Sequence, residues 1–205
     1  MMVASVAQEK TPEEYLAEKL EEYFAIQPDG EGIYELEQGE WILMPPESNL
    51  NQHIAMFLAF YFAQLGIAAR YVRMNTEIAV VGGQVAVRVP DLMVLSEGAV
   101  IALENSSRAT VMLDAPAPEL VVEVVSPGKR SNNRDYRQKY SEYQSRGISE
   151  YWIIDPLAEK ITILSLNNWL YDEAVFTESD VLTSPWLEQH QSKEKLTVEQ
   201  VLQKK

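Results

Sequence analysis

Cysteine is absent from this 205-residue chain. Its absence excludes a disulfide framework and any thiolate metal site, and makes a reducing cytosol the natural compartment. Histidine is nearly absent as well, represented only by His53 and His190. His53 falls near the start of an apolar helix, where hydrogen bonding is its usual task, and His190 lies in a polar segment, so histidine offers little to general-base chemistry here. Long apolar runs are missing. The longest, Ile54 to Ala63, is about half of the ~20 residues needed to span a membrane. Met1 to Lys10 has no basic stretch ahead of an apolar one, so no targeting or membrane anchoring is expected. The chain also lacks GxxxxGK[ST], GxGxxG, HExxH and GxSxG, the patterns of phosphate loops, dinucleotide folds, zinc proteases and serine hydrolases.

Positive charge is scarce. Against 31 acidic residues stand 17 basic ones, for a net charge of −14, which opposes non-specific attraction to nucleic acid. The imbalance is uneven, however. Residues 1–50 hold twelve Asp or Glu against Lys10 and Lys19, whereas residues 129–146 hold Lys129, Arg130, Arg134, Arg137, Lys139 and Arg146 against Asp135 and Glu142. A local basic face is expected within an acidic protein.

What is present reads as one α/β domain over residues 1–205. It comprises an acidic helical extension at 1–32, a core at 33–166 and a C-terminal extension at 167–205. Thr11-Pro12-Glu13-Glu14 supplies an N-cap, a proline at the first helical position and a capping-box glutamate for a helix to about Phe24. A turn is expected over Gln27 to Gly32. Ile33 to Met44 reads as a hairpin turning at Glu37 to Gly39 and ended by Pro45-Pro46. Asn49 to Leu65 reads as a helix that is apolar all round, hence one buried against a sheet. Strand-like runs follow at Arg70–Arg73, Thr76–Val81 and Gln84–Leu95, with Gly82-Gly83 as a hairpin turn. Leu120–Val125 is a central strand, broken by Ser126-Pro127-Gly128. A helix from Asn133 to Arg146 ends at Gly147, and Tyr151–Ile154 and Lys160–Leu166 are further strands. Thr197 with Gln200 predicts a capped final helix. The order predicts a mixed sheet with a helix on each side.

Chemistry concentrates at three positions. Glu123, within Leu-Val-Val-Glu-Val-Val, cannot reach water while its neighbours stay buried. It is therefore protonated, ion-paired or metal-bound, as a structural or a functional group. Asp91 follows Pro90, which taken alone usually marks only a turn, though it also suits a strand start or a bulge. Lys139 lies four residues after Asp135, the spacing of an exposed helical ion pair, among other basic residues able to hold phosphates. Tyr136, Tyr140 and Tyr143 share one helical stripe, which reads as core packing.

Four strings extend this reading: Pro90-Asp91, Glu119-Leu-Val-Val-Glu-Val-Val-Ser-Pro127, Asp135-x-x-x-Lys139-x-x-x-Tyr143 and Gly147-Ile-Ser-Glu-Tyr-Trp-Ile-Ile-Asp-Pro156. With them the chain resembles a bacterial family of restriction endonuclease-like proteins in the PD-(D/E)xK nuclease superfamily, from about Tyr34 to Leu166. The resemblance implies a restriction endonuclease-like mixed β-sheet core flanked by helices, with an N-terminal helix and hairpin extension. It implies Asp91 and Glu123 as metal ligands with the Val124 carbonyl as a third, Mg2+ (or Mn2+) as cofactor, and DNA as substrate of phosphodiester hydrolysis. The chain departs from the pattern at Val125, where the superfamily has its lysine; Lys139 is the matching cation, displaced onto the next helix. Glu35, Glu40 and Glu47 are auxiliary acidic candidates, or simply solvated glutamates. A homodimer would suit cutting both strands of a duplex. The competing expectation, from the acidic charge and Val125, is an interaction protein that keeps a nuclease fold without activity.

Overall fold

The computed structural model describes residues 11–25, 32–37, 39–82, 85–104, 106–126, 134–190 and 195–204. The expected turn at Gln27–Glu31, Gly83 of the hairpin turn, and Pro127 to Asn133 with Lys129 and Arg130 lie outside the described residues.

Helix α1 (Pro12–Ala25) opens as the sequence predicts. The Glu14 carboxylate accepts from the Thr11 amide and the Thr11 hydroxyl accepts from the Glu14 amide, a reciprocal cap that satisfies two donors the helix leaves free. Strands β1 (Tyr34–Glu37) and β2 (Glu40–Leu43) form the hairpin. Tyr23 of α1 stacks on Trp41 of β2 at 4.0 Å, which docks the helix on this layer. Helix α2 (Asn49–Gln64) is capped by the Ser48 hydroxyl.

β3 (Val72–Arg73), β4 (Glu77–Val81), β5 (Val85–Arg88) and β6 (Leu92–Val94) precede helix α3 (Glu97–Glu104) and β7 (Thr110–Val111). β8 (Leu120–Val124) leads to a π-helical turn, Arg134–Gln138, that runs into helix α4 (Lys139–Arg146). Gly147 closes α4 at φ 79°, a left-handed position natural to glycine. β9 (Glu150–Asp155), β10 (Lys160–Asn167), β11 (Leu170–Thr177), α5 (Pro185–Gln189) and α6 (Val198–Val201) complete the chain. Thr197 and Gln200 form the expected capping box on α6.

The strands make two sheets, where the sequence reading expected one. The first has the order β2-β1-β5-β4-β7 and the second β11-β10-β9-β8-β6-β3. Both are mixed: β8 and β9 run parallel, as do β4 and β7, and the other pairs are antiparallel. The run Gln84–Leu95 is accordingly not one strand. β5 pairs in the first sheet and β6 in the second. Pro90 stands between them, unable to donate to a ladder, so the chain turns a corner there. The hairpin is likewise no appendage: β1 pairs with β5 inside the first sheet.

The layering follows from strand alternation. Leu120, Val122 and Val124 of β8 face a cluster with Ile54, Leu58 and Phe62 of α2 and with Trp152 and Trp186. Val121 and Val125 face the other way, into a cluster with Ile78, Val80 and Ala86 of the first sheet, Tyr143 of α4, and Tyr151. Glu123 shares that inner side by alternation. α2 packs against the sheet as expected, but its burial is one-sided: Ile54, Leu58 and Phe62 are buried while Met56 is 46% and Phe60 64% exposed. No helix among the described residues is long and apolar enough to cross a membrane.

Candidate active site

The buried face of α4 is polar: Lys139, Glu142 and Tyr143, one turn apart. Burial of such groups costs several kcal/mol unless each finds a partner, and each does. The Lys139 ammonium lies 2.7 Å from Glu123 Oε1 and 3.6 Å from both Glu35 Oε1 and Asp135 Oδ1. The Tyr143 hydroxyl donates to the same Glu123 oxygen at 2.7 Å. Lys139 and Asp135 do form the expected i,i+4 pair, but both side chains are about 1% exposed, so the pair belongs to the interior and not to a solvated surface.

Asp91 sits at the corner between the sheets. Its Oδ2 accepts from the Val124 amide at 2.7 Å. The Val124 carbonyl accepts from the Asn51 side-chain amide at 3.2 Å. That amide also donates to Glu47 and to the Ser126 hydroxyl. Thus the corner after β5, the end of β8, the first turn of α2 and the buried face of α4 converge.

Electrostatics set these groups apart. Burial first, and then the charges of Glu123 and Glu47, push the Asp91 carboxyl well above the usual carboxylate range, against the pull of the Val124 amide and Lys139. Burial also pushes Glu123 up to about 7; Lys139 opposes this while Asp135 and Glu35 add to it. Burial alone would depress the Lys139 ammonium, but Glu123, Glu35 and Asp135 overcome it and hold the lysine charged. For Glu35 burial is likewise outweighed, by Lys139, Arg88 and Arg134, and its carboxyl is lowered. Two buried carboxyls resist ionising together, and nearby positive charge, part of which the Lys139 ammonium already supplies, relieves that resistance.

Among the described residues no group of three or more His, Asp or Glu side chains is set to hold a metal ion. The donors at hand are two carboxylates and one peptide oxygen, on Asp91, Glu123 and Val124. Hard oxygen donors few in number fit magnesium, which keeps several of its waters.

The other acidic candidates separate cleanly. Glu35 is buried in the network, Glu47 touches it through Asn51, and Glu40 is exposed at the start of β2. His53 is exposed, and the His190 ring lies on Trp186, with Nδ1 2.7 Å from the Trp186 carbonyl. Arg134 pairs with Asp135 at 3.3 Å, and Arg137 is exposed.

Sequence reasoning missed four participants. Arg88 was available by the argument used for Glu123, a charge inside the apolar strand Val-Ala-Val-Arg. Glu142 lies one turn beyond Lys139, which alone distinguishes it. Tyr143 packs its ring in the core, as read, but its hydroxyl serves Glu123. Asn51 carried no signal.

The fold matches a crystal structure from Anabaena variabilis, titled a putative nuclease belonging to DUF820. The TM-score is 0.63 at 16% identity, over 90% of this chain and 97% of that one. No curated protein matches the sequence. The pattern of the Uma2 family, described as "putative restriction endonuclease", matches residues 20–199, and with that match spanning most of its length the chain belongs to the Uma2 family.

Proposed function

We propose that the protein is a metal-dependent endodeoxyribonuclease that hydrolyses phosphodiester bonds, with Asp91, Glu123 and Lys139 as its working residues. One observation carries this reading: the Lys139 ammonium is 2.7 Å from Glu123, which supplies from a helix the cation that Val125 cannot supply from the strand.

In this reading Asp91, Glu123 and the Val124 carbonyl hold Mg2+ or Mn2+. The bound ion provides a Lewis acid and a more acidic water. Lys139 presents a fixed positive charge where charge builds on the phosphoryl oxygens. Tyr143 fixes the Glu123 carboxylate in its orientation, and Asn51 fixes the Val124 peptide. Arg134 and Arg137 offer phosphate contacts beside the site, local positive charge within an acidic protein.

The rival reading, an inactive interaction protein on a nuclease fold, draws on the net charge of −14. Calorimetric titration of manganese into the wild-type protein and Asp91→Ala separates the two. Binding to the wild type that Asp91→Ala abolishes, with cleavage of supercoiled plasmid that EDTA stops, is the expected result. No metal binding with or without DNA, and no cleavage, would leave the inactive reading standing.

A further inference from the structure

Behind the lysine lies a second layer of charge. Arg88, 1% exposed and at the end of β5, spends all three guanidinium nitrogens on carboxylates. Nε donates to Glu142 Oε2 at 2.8 Å, Nη2 to Glu142 Oε1 at 2.7 Å, and Nη1 to Glu35 Oε2 at 3.1 Å. The other Glu35 oxygen accepts from the Val89 amide at 3.1 Å. Gly82, at the end of the β4–β5 hairpin, leaves room for this: a Cβ there would meet Glu142 Cγ at 2.6 Å. The first sheet thereby grips α4 through Glu142, one turn from Lys139, and grips Glu35 on β1.

Glu35 is the anion that Arg88 and Lys139 share. Arg88 and the Val89 amide just after β5 already hold it, so its contact to Lys139 stays long, 3.6 Å against 2.7 Å to Glu123. Without the guanidinium, Glu35 would be a buried carboxylate whose nearest remaining cation is Lys139, and at these distances in a dry interior the attraction is strong. The ammonium would swing toward Glu35 and away from Glu123.

We propose that Arg88 is a positioning residue: by neutralising Glu35 and clamping Glu142 from the first sheet, it keeps the Lys139 ammonium on Glu123. This rests on the nuclease reading for its consequence in catalysis, but not for its structural content.

The test uses the full chain labelled with 15N-lysine. Lys139, ion-paired and buried, gives a ζ-ammonium cross-peak protected from exchange, assigned by its loss in Lys139→Gln. In Arg88→Met this peak is expected to move or vanish, with cleavage down about a hundredfold, the scale of an ångström-level misplacement, and manganese binding retained. Adding Glu35→Gln to Arg88→Met removes the freed carboxylate that lies beside Lys139, and is expected to return both the peak and most of the cleavage. If Arg88→Met does not fold, Glu142→Gln, of the same volume, loosens the same clamp and is expected to shift the peak in the same way. A folded Arg88→Met or Glu142→Gln with an unmoved Lys139 peak overturns the proposal. So does a double variant that regains its melting temperature without regaining the peak. If the wild type binds manganese but cuts nothing, the nuclease reading fails, and the peak alone decides the role of Arg88.

Discussion

Two glutamates lie buried on neighbouring parallel strands and solve the same problem differently. Glu123 stands near the C-terminal end of β8, Glu150 at the start of β9, and they are 4% and 2% exposed. Burial raises the carboxyl of each. Glu150 meets neutral donors: the Trp152 indole at 2.9 Å and the Trp186 backbone amide at 2.8 Å. It thereby fastens the N-terminus of α5 to the second sheet. Glu123 meets an ammonium and a phenol, with Glu35 and Asp135 close enough to raise it further. A carboxylate held by dipoles is part of the frame. One held by a shared cation among competing anions is poised for a partner, and burial alone does not distinguish the two.

Changes at these positions should widen that contrast. The largest effect is expected from Lys139→Met, which leaves Glu123 buried without its nearest cation. Stability to urea should fall by about 3–5 kcal/mol, the usual cost of breaking a buried ion pair, and cleavage should fall on the order of a hundredfold to a thousandfold. Unchanged cleavage in this variant would remove the lysine from the chemistry. Glu150→Gln should cost only about 1–2 kcal/mol, since the amide oxygen still accepts one of the two donors, with cleavage and manganese binding intact. If it abolished cleavage at unchanged stability, the division between frame and site would collapse.

A third carboxylate sharpens the scale at its low end. Glu77 accepts from Arg108 at 2.6 and 2.7 Å, from Thr110 at 2.5 Å and from Tyr23 at 3.2 Å, which ties β7 and α1 to β4. Burial would raise its carboxyl, but the Arg108 and Thr110 hydrogen bonds prevail and lower it. A carboxyl with a depressed folded-state pKa contributes stability above the ordinary glutamate range, and that contribution is lost as pH falls through that range toward the folded value. Acid unfolding of the wild type should show this loss, on the order of 1 kcal/mol once the partial exposure of Arg108 is allowed for. Glu77→Gln should be less stable at neutral pH and flatter below it; an unaltered pH slope in this variant would place the acid sensitivity elsewhere.

Local rules made much of the fold legible. The caps at Thr11 and Thr197, the stop at Gly147, the hairpin at Gly39 and the strand around Glu123 all follow from residue chemistry within a few positions. The family resemblance brought Asp91, Glu123 and Lys139 forward together, and the structure brings them into one cluster. The division of residues 84–95 between two sheets was not legible, because the segments on either side of Pro90 are equally apolar and nothing local says which partner each will take. α3 and β11 were also unread: α3 is short and β11 mixes charged and apolar residues without a clean period. The Arg88, Glu35 and Glu142 network joins residues more than fifty positions apart, beyond any pattern within one element.

The corner at Val89 to Asp91 carries a consequence for the life of the chain before it is finished. Glu35 and Asp91 emerge early in synthesis, Glu123 later, and Lys139 with its gripping helix later still, and their meeting requires both sheets to be in register. A partly made or misassembled copy therefore holds scattered acids with no shared cation. The charged cluster is thus a property of the finished fold alone, complete only once β8 has joined its sheet and the helix after it has docked.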